Sequence, residues 1–351
     1  MEPAKDPEMR LIIHAPGIRA GGGKALLAAL LRDMTLPCEA LLDQRFIDDG
    51  PRLAPQITVH PIGRTLFARL AAEWSLRDLT ADEDIVLCFS NLPPLFHCRG
   101  RVLVFLQNRY LVENVPLAGF PARMKLKIRL DRAWLRARIG NTGAIIVQTD
   151  SMARAVSQAL RCEARVMPFR RGLDTVRSVS STERGSAAHS STFVYVASGE
   201  PHKNHRRLIQ AWAILARDGI KPRLILTLER TAGASLYDWI CACRAQHGLA
   251  VEFDTPAGAA ALARLYSSAD ALIYPSLMES FGLPLLEAVE TGLPIIASER
   301  DYVRDVVSPA ETFDPDSAVS IARAVRRFLA QPEPVAPIAS PAQFLSRLMG
   351  L

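Results

Sequence analysis

Along the chain, short apolar runs recur that are hydrophobic at odd and even positions alike. They are LIIHAP (11–16), DIVLCFS (84–90), RVLVFLQ (101–107), AIIVQT (144–149), FVYVAS (193–198), RLILTL (223–228), AVEFD (250–254), ALIYPS (271–276) and LPIIAS (293–298). A strand wet on one face alternates apolar with polar, so unbroken runs of this length fit a parallel sheet covered on both faces. Between them lie segments with helical spacing: KALLAALLRDM (24–34), SMARAVSQAL (151–160), HRRLIQAWAILARDG (205–219), AALARLYSSA (260–269) and DSAVSIARAVRRFLA (316–330). Strand and helix in alternation predict repeated βαβ units and an α/β fold of doubly wound parallel sheets.

The rhythm stops once, in RGLDTVRSVSSTERGSAAHSS (171–191), which is serine-rich and poor in apolar residues. Such a stretch reads as a domain boundary or mobile loop. It divides the chain into an N-terminal Rossmann-like domain (1–172), a linker (173–191) and a C-terminal Rossmann-like domain (192–330). A Pro-rich stretch and a last short helix are expected over 331–351. With 351 residues, each domain is large enough to bury its own core.

Composition adds little against this picture: 49% apolar and 22% charged is the balance of a globular protein. The net charge of +6 favours anionic partners without choosing among them. MEPAKDPEMR has no apolar stretch of signal-peptide length and no later run is long enough to span a bilayer, so a cytoplasmic location is expected. Six cysteines without a C-x-x-C pair or a histidine cluster point to buried thiols rather than to zinc or disulfides.

The densest candidate chemistry lies in PSLMESFGLPLLEAVETGLPIIAS (275–298). A buried strand ends near Pro275, a loop follows, Pro284 suits the first helical turn, and Gly292 suits the position past the helix end. Amides around Phe281, Gly282 and Leu283 would then sit at the positive end of a helix dipole, at the carboxyl edge of a parallel sheet. Glu279 in the loop and Glu287 in the helix would accept hydrogen bonds from hydroxyls on either side of an anion. Taken as two glutamates alone, the segment also fits a helix-start carboxylate beside a solvated acid.

The run E-S-F-G-L-P-L-L-E-A followed by G-L-P-I-I-A-S resembles the E-x7-E signature of the retaining GT-B glycosyltransferases of group 1, also called family 4. That resemblance implies two Rossmann-like domains facing across a cleft. It assigns Glu279 to the donor sugar, Glu287 to the ribose hydroxyls, and Ser280, Phe281, Gly282 and Leu283 to sugar and diphosphate. FVYVASGEPHKNHRRLIQAW (193–212) is similar to the family's Lys-Asn loop, which makes Lys203 the cation on the departing diphosphate. The family commonly carries Gly-Arg five residues earlier, where this chain has Ala197-Ser198. Ser198 therefore joins the donor-binding set, and phosphate stabilisation is expected to rest more on Lys203 and the backbone amides, or on an arginine from elsewhere such as Arg206.

IRAGGGKALLAALL resembles the family's N-terminal glycine loop, placing Gly22 and Gly23 across the cleft from the donor. A lone glycine triplet does not match G-x-G-x-x-G, which argues against a dehydrogenase. Many relatives have a histidine at the end of a central strand, where VLVFLQNRYL offers Gln107 and Asn108; an amide orients a hydroxyl but is no base. Asn108 and His14, which ends the first strand, are the acceptor-side candidates. The structural alternative for a lone histidine stays open.

ARMKLKIRLDRAWLRARIG (122–140) interleaves seven Lys or Arg with Leu, Ile and Trp134. It fits either a core-facing helix with a solvated charged face or an amphipathic helix on the anionic inner face of the plasma membrane. No nucleic-acid module surrounds it.

The resemblance thus implies a metal-independent hexosyltransferase without cofactor. It would move a hexose, mannosyl or glucosyl, from a nucleoside-diphosphate sugar to a glycan or glycolipid acceptor with retention, in polysaccharide or lipopolysaccharide biosynthesis. The alternatives are a nucleotide-sugar epimerase or hydrolase, and a catalytically degenerate GT-B scaffold that binds nucleotide sugar or a partner.

Overall fold

The computed structural model describes residues 10–18, 21–113, 115, 117, 120–169 and 191–331. The linker expected over 173–191, apart from its last residue, and the terminal helix expected within 331–351 lie outside the described residues. The thirteen strands among the described residues fall into two wholly parallel sheets.

The first sheet holds β1 (Leu11–Ala15), β2 (Cys38–Asp43), β3 (Ile57–Ile62), β4 (Ile85–Cys88), β5 (Arg101–Phe105), β6 (Ala144–Val147) and β7 (Ala164–Val166), in the order β3-β2-β1-β4-β5-β6-β7. The second holds β8 (Thr192–Tyr195), β9 (Arg223–Leu226), β10 (Val251–Phe253), β11 (Ala271–Tyr274), β12 (Ile295–Ser298) and β13 (Glu311–Phe313), in the order β10-β9-β8-β11-β12-β13. In each sheet the order reverses beside the first strand, the switch point where doubly wound folds open a ligand crevice at the strands' carboxyl ends.

The side-chain period of two explains why these strands read as unbroken apolar runs. On β1, Ile13 packs with Leu27, Leu31 and Phe105 on one face, and Ile12 packs with Leu76, Val86 and Val104 on the other. The second domain closes around Phe193, Tyr195, Trp212, Leu272 and Val325, and Trp212 donates its indole N–H to the Pro222 carbonyl at 2.9 Å.

The two domains meet through specific polar contacts. The Asp150–Leu160 helix presents its first turn to the C-terminal domain, where the Ser151 amide donates to Asp305 Oδ2 at 2.9 Å. An acid is favoured there by the helix dipole. Thr149 caps the same helix by accepting from the Met152 amide, and its hydroxyl also reaches the Ser280 carbonyl at 3.2 Å.

The basic segment forms a helix over Ala122–Arg138 of which only Ile128 and Leu135 are buried. Trp134 donates to the Pro93 carbonyl and Arg132 to those of Tyr110 and Glu113, while Met124, Leu126 and Leu130 stay exposed. Among the described residues, no helix is long and apolar enough to cross a membrane.

Candidate active site

A cavity of about 770 Å³ opens between the carboxyl ends of the two sheets. Its C-terminal wall is the segment Met278–Pro284 with Lys203, His202 and Tyr274; its N-terminal wall includes Gly21–Gly23, Gln107, Asn108, Arg109 and Tyr110.

Lys203 is positioned by its loop. Tyr195 donates its hydroxyl to the Lys203 carbonyl at 2.7 Å, and the Leu277 amide donates to the His202 carbonyl at 2.8 Å. Asn204 adopts left-handed backbone (φ 61°), a conformation Asn tolerates better than most, and its side-chain amide ties the loop to the carbonyls of Pro275 and Pro315. This is why Lys-Asn works as a unit: the asparagine pins the turn that aims the lysine.

Lys203 Nζ donates to Glu279 Oε1 at 2.7 Å, and Tyr274 donates to the same oxygen at 3.0 Å. The pair is mostly enclosed, with 16% and 10% of the side chains exposed. Burial works to raise the Glu279 carboxyl. Lys203 first and His202 next pull it down, and it sits below the ordinary 4.5. Glu279 is therefore an ionised acceptor facing the cavity. Burial lowers the His202 imidazole pKa, and the ring lies edge-on to Tyr110 at 5.5 Å.

Beyond Glu279 the loop turns through Gly282, whose φ of 78° favours glycine, into the Leu283–Glu290 helix. Among the described residues, the amides of Ser280, Phe281, Gly282 and Leu283 find no hydrogen-bond acceptor. Opposite them the glycine triplet forms the first turn of the Gly21–Arg32 helix, where a loop leading into the helix was expected. Two helix N-termini from different domains thus converge on one cavity, an arrangement suited to a multiply charged anion.

Other expected residues stand apart. His14 does not reach the cavity: alternation along β1 puts it on the Ile12 face, buried, with Nε2 3.6 Å from Glu73 Oε1 and burial lowering its pKa to about 4. Glu287 is buried and accepts from the Tyr266 hydroxyl at 2.9 Å; it is not among the cavity-lining residues. Arg206 does not supply the missing cation, because its guanidinium lies over the Trp239 ring at 4.5 Å. Ser198 lines the cavity with its hydroxyl bonded to Glu200, and Asn108 lines it while capping the turn that begins at Arg109.

Sequence reasoning missed Arg109, a basic side chain that lines the cavity beside Lys203. It follows Asn108 directly, and only the packing of the two domains reveals it: Arg109 Nη1 donates to the Glu279 carbonyl, 170 positions away, at 2.9 Å. Among the described residues, the basic side chains Arg109 and Lys203 thus line the cavity together with the acidic Glu200, Glu229 and Glu279.

Comparison with known proteins bears on the fold and on the C-terminal domain. Residues 179–342 match the family described as glycosyl transferases group 1. The chain is 28% identical over 185 residues to a serotype-specific mannosyltransferase, WbdA, of Escherichia coli, covering 47% of this chain and 21% of that one. It therefore spans about a fifth of the length of that relative. Among solved structures it resembles a sucrose-phosphate synthase from Thermosynechococcus elongatus (TM-score 0.68, 19% identity, 92% of this chain and 90% of that one). It also resembles the HepE protein of Anabaena solved with UDP and glucose (TM-score 0.64, 15% identity, 92% and 89%). Residues 179–342 thus match the group 1 glycosyl transferases, and the chain as a whole shares with these solved structures the GT-B fold of two parallel-sheet domains facing across a cleft.

Proposed function

We propose that the protein transfers a hexosyl group, mannosyl or glucosyl, from a nucleoside-diphosphate sugar to a glycan or glycolipid acceptor with retention of configuration, in the assembly of a cell-surface polysaccharide or lipopolysaccharide. The observation that carries this reading is the Lys203–Glu279 pair beside unpaired amides at the Leu283–Glu290 helix start, with the Gly21–Arg32 helix start opposite. The amides and Lys203 would hold the diphosphate, and Glu279 would accept from sugar hydroxyls.

In the transfer, the bond between the anomeric carbon and the β-phosphate oxygen breaks and its electron pair leaves with the phosphate. The acceptor hydroxyl oxygen bonds to that carbon on the same face, and its proton passes to the departing phosphate. His14, enclosed beside Glu73, is not placed to act as base. Glu287 would bind the ribose after letting go of Tyr266. The Ala122–Arg138 helix, with its basic side chains and exposed Met124, Leu126 and Leu130, is the surface we assign to the inner face of the plasma membrane, where a lipid-linked acceptor resides.

The test is a thermal-shift and turnover screen against UDP-, GDP- and ADP-hexoses, with and without a lipid extract as acceptor source. Selective stabilisation by one donor and acceptor-dependent release of its nucleotide support the reading; no binding to any of them rejects it. A second reading, a nucleotide-sugar-binding scaffold without turnover, has one observation in its favour. Ser198 is held by Glu200, so an acid stands in the region where relatives place a second cation. Binding without turnover in every acceptor mixture would select it.

A further inference from the structure

We propose that Arg109 is a positioning residue for the transfer reaction: together with Thr149 it fixes, from the N-terminal domain, the aim of the Ser280 and Phe281 amides on the C-terminal domain. The inference rests on the donor-loop reading above and adds to it a pair of groups outside that loop.

Two adjacent carbonyls of the loop are tied across the cleft. Arg109 Nη1 donates to the Glu279 carbonyl at 2.9 Å, and Thr149 Oγ1 donates to the Ser280 carbonyl at 3.2 Å. The peptide bonds here are trans, and in a trans peptide the carbonyl of one residue and the amide N–H of the next point in opposite directions. Holding the Glu279 carbonyl therefore turns the Ser280 N–H away from Arg109, and holding the Ser280 carbonyl turns the Phe281 N–H away from Thr149. Both amides lack an acceptor, and both residues line the cavity.

The Glu279 side chain is held by Lys203 and Tyr274 and the Phe281 side chain is buried, but among the described residues no other hydrogen bond reaches either carbonyl. The flanking backbone bonds are Leu277 N–H to the His202 carbonyl on one side and Leu285 N–H to the Gly282 carbonyl on the other. Gly282 between them is the residue most able to rotate. Arg109 is itself well held, with Nε donating to Glu113 Oε1 at 2.6 Å and Nη1 lying 3.4 Å from Ser151 Oγ. Thr149 is anchored as the cap of the Asp150–Leu160 helix. Both donors belong to the N-terminal domain. They aim the amides only while the domains are closed, which couples closure to stabilisation of the leaving phosphate.

The test uses the whole chain and the variants Arg109→Ala, Arg109→Lys and Thr149→Val, with the exposed Arg52→Ala as control. In nitrogen-15 amide spectra without substrate, the Ser280 and Phe281 resonances should move in Arg109→Ala and stay in place in Arg52→Ala. With the donor found in the screen, kcat should fall about 10- to 100-fold in Arg109→Ala, while Kd for the matching nucleoside diphosphate changes less than about threefold and Tm holds. Arg109→Lys should recover part of the loss. Thr149→Val should add less than its own single effect in the double variant, because both groups hold one loop. Unmoved Ser280 and Phe281 amides in Arg109→Ala overturn the inference whatever the activity, as does a loss confined to Kd or tracking Tm. Absence of donor binding in the wild type instead counts against the functional reading.

Discussion

A β-carbon on Gly22 would lie 3.3 Å from Leu283 Cδ1, although the two residues belong to different domains. The helix starts that carry them are therefore nearly in van der Waals contact across the cleft, and the absent side chain permits it. Gly22→Val should hold the domains apart. We expect kcat/KM to fall at least about tenfold with Tm unchanged within about two degrees, and Gly22→Ala to lose less because the Leu283 end can shift. Equal activity of wild type and Gly22→Val would show that this approach is not needed.

Lys203 and Glu279 form a mostly enclosed ion pair, so removing one member strands the other. Lys203→Met should destabilise the fold by about 3–5 kcal/mol, and the double variant Lys203→Met, Glu279→Gln should recover much of that while staying inactive. Urea unfolding separates the two quantities. Stability recovered together with turnover would remove Lys203 from the reaction.

The same pair sets an acid limit. Glu279 has its carboxyl lowered in the folded state, so the stability it contributes is present above the unfolded value near 4.5 and is lost as pH falls through the folded value. Glu279→Gln should lack that part of the acid-side decline. An unfolding profile below pH 4.5 identical to wild type would contradict the assignment.

His205 gives a second, independent pH signature. It is buried, neither ring nitrogen has a hydrogen-bond partner among the described residues, and burial lowers its pKa from 6.5 to about 3. Between those values the unfolded chain binds a proton that the folded chain does not, so stability falls on acidification by up to about 1.4 kcal/mol per pH unit. His205→Phe should make the profile between about pH 3 and 6.5 less steep, with His14, lowered to about 4, keeping its own share, because a neutral ring of similar shape serves as well beside Tyr195. An unchanged slope would mean that another group carries it.

Gly282 occupies left-handed backbone (φ 78°), and a β-carbon there would sit 3.0 Å from Leu285 Cδ1. Gly282→Ala should cost about 1–2 kcal/mol in stability and should weaken nucleotide-sugar binding through the displaced amides. Calorimetric titration and thermal unfolding together read both effects.

Much of this was legible in the sequence, and the exceptions have physical causes. All nine apolar runs are strands. The strands that were missed are β2, β3, β7 and β13, and three of these lie at sheet edges, where one side needs no cover. β3 even contains Pro61, which an edge tolerates. β2 is interior but carries Glu39 and Asp43, acids satisfied by His60 and by Arg45. The Leu66–Leu79 helix escaped notice because Phe67 and Trp74 point to solvent and blur its periodicity. In the site, Lys203 and Glu279 could be found because local turns fix them. Arg109 could not, since its partner is supplied by the other domain. The spacing placed Glu287 in the right helix without revealing that Tyr266 would draw it inward.

The Ala122–Arg138 helix holds seven basic side chains and one acid, an excess of six that equals the formal net charge of +6 of the entire chain. Everything outside that one rod sums to zero. The net attraction of the chain for a negatively charged partner is thus equal to the surplus on this one helix. Reversing three of its seven basic side chains would bring the formal net charge of the whole chain to zero.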